Sequence, residues 1–103
     1  MIAAIELRRD EIARICGKHR VRRLSLFGSA TGERFDSSRS DVDVLVEFEK
    51  MAPADHAAHY FGLQEELEAL LQHPVDLVEP APIRNPYFRQ SIEASKVLLF
   101  EAA

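Results

Sequence analysis

The stretch Asp41-Val42-Asp43-Val44-Leu45-Val46-Glu47-Phe48 constrains this chain most. Val42, Val44, Val46 and Phe48 alternate with Asp41, Asp43, Leu45 and Glu47. That is the two-residue period of a β-strand with one apolar face. The apolar face demands a hydrophobic layer over it. The other face carries two like charges whose Cα atoms are about 6.5–7 Å apart. Carboxylates about 5 Å apart repel by about 3 kcal/mol at an effective dielectric of 20. A small domain has only about 5–15 kcal/mol of stability in total. Two readings are open: a pair facing water, where separation and salt shrink the cost, or a divalent-cation site built of hard oxygen ligands.

The rest of the chain supplies layers for such a strand. Ile5, Ile12, Ile15 and Cys16 recur at helical spacing and predict a helix from about Ile2 to Gly17, with Gly17 as its stop. A basic stretch, Lys18 to Arg23, leads into a short strand at Leu24–Phe27. Residues 28–40 lack a sustained period and read as a loop with room for one helical turn. After Pro53 a long helix is predicted to about Gln72, with Tyr60, Leu63, Leu67, Leu70 and Leu71 as its apolar stripe. Pro74 ends it, and Val75–Val78 reads as a strand. Asn85 before Pro86 is a good N-cap and first helical residue for a last helix, followed by a strand at Val97–Phe100. The expected fold class is α/β (α+β), a small mixed β-sheet with helices packed on it, in one domain over residues 1–103.

With 103 residues, the chain has one core's worth of material. The net charge of −4 argues against a protein that grips nucleic acid through its phosphates. Cys16 is the single cysteine, so no internal disulfide forms, which fits a reducing compartment. No apolar run approaches the ~20 residues that span a membrane. The first residues lack a signal peptide's apolar centre. A cytoplasmic protein without membrane contact is expected.

Gly28-Ser29 precedes the acidic strand, with eleven residues between Ser29 and Asp41. Glycine at a strand end lets the backbone approach a ligand closely. Exposed amides and a hydroxyl could then hold a phosphate, although an isolated Gly-Ser is usually an ordinary turn. Phe27-Gly28-Ser29 together with Ser40-Asp41-Val42-Asp43-Val44-Leu45-Val46-Glu47-Phe48 resembles the signature of the minimal nucleotidyltransferases, members of the DNA polymerase beta-like superfamily. The resemblance extends over the long helix and Val75-Asp76-Leu77-Val78. It implies a polymerase beta palm-like nucleotidyltransferase fold.

By that resemblance, Gly28 and Ser29 bind the triphosphate of ATP, Asp41 and Asp43 hold Mg²⁺, and Asp76 completes the metal site or serves as base. Two Mg²⁺ ions are expected, with Asp76 nearest the acceptor. Many small members are antitoxins of a HEPN-type ribonuclease toxin, and some attach AMP to a tyrosine of that toxin. A hetero-oligomer with such a toxin is therefore implied. Many relatives carry Ala-Arg-Gly shortly after Gly-Ser, whereas this chain reads Ala30-Thr31-Gly32-Glu33-Arg34. Arg34 and Arg39 are the loop cations that could stand in. The departure leaves an alternative: a catalytically weak antitoxin that neutralises its partner by binding alone. A small-molecule nucleotidyltransferase is disfavoured, because few residues remain to build a second pocket. The acceptor is expected to be a macromolecule that brings its own surface, and a protein suits the acidic charge better than RNA.

Other signals have plainer readings. His56 and His59 share a helical face without an evident third zinc ligand and are expected in solvent. Lys18 to Arg23 reads as a solvated charge run, Cys16 as a buried thiol, and Tyr60 and Tyr87 as packing residues. Glu47 and Glu49 are expected on the surface.

Overall fold

A computed structural model of the chain describes residues 2–31, 41–80 and 84–103. Arg34 and Arg39 lie outside the described residues. The elements in chain order are α1 (Ile2–Glu6), α2 (Arg9–Lys18), β1 (Val21–Phe27), a 3₁₀ turn (Gly28–Thr31), β2 (Val42–Phe48), α3 (Pro53–Leu71), β3 (Val75–Val78), α4 (Pro86–Ser95) and β4 (Val97–Glu101). The strands form one mixed sheet in the order β3-β2-β1-β4. β1 runs antiparallel to β2 and β4, while β2 and β3 are parallel and joined through α3. A parallel pair needs such a crossover, and a helix provides it.

Strand alternation decides what each face of the sheet does. Val42, Val44 and Val46 enter the main core with Leu24, Leu26, Val75 and Leu77, beneath Ile12, Cys16, Leu63 and Leu67 of α2 and α3. Burying a leucine such as Leu63 or Leu67 contributes roughly 1.5–3 kcal/mol. Leu45 points the other way, into a smaller cluster with Phe27 and Ile92, against which Val78 packs. α4 therefore covers only part of the second face. The Asn85 side chain caps α4 by accepting hydrogen bonds from the Tyr87 and Phe88 amides at 2.9 and 3.3 Å, as the Asn-Pro pair predicts.

The predicted first helix is broken in two. At Leu7–Arg8 the Arg8 amide bonds the Ile5 carbonyl, a three-residue step, at 2.9 Å. The second segment does not stop at Gly17 but continues to Lys18. The left-handed residue that ends the chain's helical path is Arg20, at φ 59°, where its Nε also donates to Glu49 at 3.1 Å. β1 begins three residues earlier than predicted, at Val21, because Val21 is buried and pairs with Phe48.

His56 and His59 are half-exposed, less solvated than expected. His19 is buried within the basic run, its Nδ1 3.1 Å from His59 Nδ1 and its Nε2 on Glu66. His56 Nε2 lies 2.7 Å from Glu79. Tertiary packing of α2 on α3 places these partners, and helical periodicity alone cannot show it. Cys16 is a buried thiol as expected, its pKa pushed up to about 12 by burial.

Candidate functional site

Gly28 ends β1 in the left-handed region, at φ 72°. A Cβ built at this position would lie 2.6 Å from Asp43 Oδ2. Both facts favour glycine: L side chains rarely adopt this backbone conformation, and the missing methyl is what lets the main chain sit against the carboxylate. β1 pairing brings them together, since Phe27 and Asp43 are register partners. Beyond Gly28 the 3₁₀ turn is closed by the Thr31 hydroxyl, which donates to the Gly28 carbonyl at 2.7 Å. The Gly28 amide donates to Ser95 Oγ at 3.4 Å, joining the turn to the end of α4. The Ser29 backbone is part of the turn, and its side chain lies outside what the structure describes.

Asp43 and Asp76 are register partners on the parallel strands β2 and β3. Partners in a sheet project from the same face, on strands about 4.8 Å apart. Asp76 is exposed and Asp43 half-buried. Asp41 is exposed and sits immediately before β2 rather than inside it. The Asp43 carboxyl is pushed above its ordinary range by partial burial first, then by the charges of Asp76 and Asp41. At Asp43 the charge of Asp76 on β3 acts more strongly than that of its Asp-x-Asp partner Asp41.

These residues fit a hard divalent cation. The donors are carboxylate oxygens, the charges acting on Asp43 are those of other carboxylates, and the Gly28 backbone lies directly against it with no Cβ between. Among the described residues no three His, Cys, Asp or Glu side chains are drawn together into a ready-made metal cage. Mg²⁺ usually takes one or two carboxylates and completes its shell with water and substrate phosphate oxygens.

Two aromatic residues border this group without having been singled out for it. Tyr60 on α3 donates to the Leu77 carbonyl at 2.7 Å. Its phenol pKa is raised by burial and then by the charges of Asp76 and Glu79. Phe88 on α4 lies edge-to-face on Phe27, ring centres 6.2 Å apart. The only trace of Tyr60's position in the sequence is a polar tip at the end of an apolar helical stripe.

The nucleotidyltransferase domain family matches residues 9–99 of the chain. A candidate protein adenylyltransferase of Methanocaldococcus jannaschii is 40% identical over 77 residues, which are 74% of this chain and 74% of that protein. The solved structure of a candidate minimal nucleotidyltransferase is 30% identical, covering 89% of each chain with a TM-score of 0.67. A chain from the complex of the tri-AMPylated HEPN toxin of Shewanella oneidensis with MNT antitoxin shares the fold at 18% identity and a TM-score of 0.62, covering 95% of this chain and 73% of that one. With a left-handed glycine set against the paired carboxylates of a mixed sheet, and a family match spanning nearly its whole length, this chain belongs to the nucleotidyltransferase domain family.

Proposed function

We propose that the protein transfers AMP from ATP to a hydroxyl, a tyrosine, of a HEPN-type ribonuclease toxin and thereby acts as its antitoxin. The observation that carries this reading is the strained carboxylate Asp43, held between Asp76, Asp41 and the Gly28 backbone. A site kept electrostatically unfavourable is one made to be relieved by a bound cation and its nucleotide. The names of the relatives supply the transferred group and the class of partner.

In this reading Gly28 and Ser29 cradle the triphosphate, while Asp41, Asp43 and Asp76 hold Mg²⁺. Bound there, Mg²⁺ supplies positive charge against the phosphoryl oxygens. The acceptor oxygen forms a bond to the α-phosphorus as the bond to the β-phosphate oxygen breaks, and pyrophosphate leaves. Asp76, exposed on the edge strand β3, takes the hydroxyl proton. β2 and β1 are fixed by the core behind them, so the carboxylates and the cradle keep their relative placement as charge moves.

Neutralisation by binding alone is the second reading, and one local feature favours it. Thr31, in the stretch where relatives carry an arginine, spends its hydroxyl on closing its own turn. The two readings separate in one assay with the HEPN-type partner, labelled ATP and Mg²⁺. The wild type is expected to label the partner, and the double substitution of Asp41 and Asp43 by Asn to reduce labelling at least 100-fold. Equal inhibition of the toxin by wild type and double variant would assign the antitoxin effect to binding.

A further inference from the structure

A cavity of about 460 Å³ opens beyond β3, bordered by Tyr60, Leu77, Val78, Glu79, Arg84 and Phe88. Its size is that of a ligand site. It adjoins Asp76 along the chain, because Leu77 and Val78, which border it, follow Asp76 on β3. Across the sheet the order is then Gly28 at the end of β1, Asp43 on β2, Asp76 on β3, and the cavity outermost.

In-line displacement sets the attacking and leaving oxygens on opposite sides of the phosphorus. With the leaving phosphates held at Gly28, the attacking hydroxyl enters from the β3 side. We infer that this cavity receives the acceptor's side chain, a planar aromatic hydroxyl presented by a polypeptide, with Arg84 meeting an acidic group beside it. This rests on the transferase reading above and adds where and how its acceptor is recognised.

The lining supports that occupant. Tyr60 and Phe88 offer ring faces and edges to a flat apolar body. Leu77 and Val78 add apolar surface, and Glu79 is already engaged by His56. Arg84 is exposed and forms no ion pair with another described residue, leaving it free for an incoming carboxylate. On the two helices that contribute Tyr60 and Phe88 the chain exposes further aromatic surface. Phe61, whose ring meets Tyr60, is 64% exposed, and Tyr87, next to Phe88, is 80% exposed. Exposed aromatic rings are a feature of protein docking surfaces.

Single-turnover labelling of the HEPN-type partner with wild type, Phe88→Ala and Arg84→Glu tests this. The KM for the partner is expected to rise at least tenfold in each variant, with the KM for Mg–ATP unchanged within twofold. An unchanged partner KM would overturn the assignment. A raised KM for ATP would overturn it too, by giving the cavity to the nucleobase. A second measurement needs no turnover. N-acetyltyrosinamide at millimolar concentration is expected to shift the amide resonances of Leu77, Val78 and Phe88 in the wild-type protein, and no shift would contradict the proposal. If the wild type binds this probe yet labels no partner, the transferase reading fails while the cavity's aromatic specificity stands.

Discussion

At the scale of single residues, Gly28 and Asp43 belong to one device. The glycine's left-handed backbone lets the main chain touch the carboxylate, whose pKa is raised by partial burial first and then by its charged neighbours. Gly28→Ala places a methyl 2.6 Å from Asp43 Oδ2 and forces an L side chain into φ 72°. Denaturant unfolding of this variant is expected to show a loss of about 1–2 kcal/mol from the backbone alone, with Mg–ATP binding weakened at least tenfold. A variant as stable as wild type with intact nucleotide binding would mean that the cradle is not what we take it to be. The Asp-x-Asp pair and the glycine were legible because their spacing maps directly onto strand geometry. Asp76 was legible only through family resemblance, since its register against Asp43 is a long-range fact. Tyr60 and Phe88 were not legible as neighbours of the site. Which side of a helix faces an acidic edge depends on how the helix crosses the sheet.

Among the elements, β2, α3, β3, α4 and β4 fall where periodicity and the prolines predict them, because each has strong local punctuation or an unbroken apolar stripe. The first helix begins at Ile2 as expected but differs in its middle and at its end. Its break at Leu7 carries no Gly or Pro signal, and the residue that ends α2's path is an arginine doing what glycine usually does. The two helical glycines make the same point about packing. Nothing lies within 4 Å of a Cβ built on Gly17, whereas one on Gly62 would meet His19 Cε1 at 2.7 Å. Gly17→Ala is therefore expected to stabilise the protein by about 0.5–1 kcal/mol through helix propensity. Gly62→Ala is expected to destabilise it by about 1–3 kcal/mol, because the buried imidazole wedged between His59 and Glu66 has to move. Thermal melts of the two variants check both signs. A stabilised Gly62→Ala would show that the α2–α3 contact is looser than described.

Taken as a whole, the molecule sets one sheet face against α2 and α3 and leaves part of the other for chemistry, with α4 as a partial cover. Its two edge strands differ. The outer strand β4 has carbonyls of Leu98 and Leu99 accepting from the Arg9 guanidinium at 3.1 and 3.2 Å. The other edge, β3, carries Asp76 and borders the cavity. Among the described residues no helix is long and apolar enough to cross a membrane.

An acidic group whose folded-state pKa is raised binds its proton more tightly in the folded protein. The ionised form therefore costs stability as pH rises through and above that raised pKa, and the cost vanishes below the ordinary value of 3.8. Neutralising Asp43 should thus help the free protein and cripple the liganded one.

The most direct measurement is the melting temperature at pH 7 of wild type and Asp43→Asn, each with and without Mg–ATP. Without ligand the variant is expected to melt higher, the direction set by the raised Asp43 pKa. With millimolar Mg–ATP the wild type is expected to rise through binding linkage while the variant stays put, closing or reversing the order. A variant that melts lower than wild type without ligand, or that gains as much from Mg–ATP, would contradict a carboxylate site held under strain for a cation-bound nucleotide.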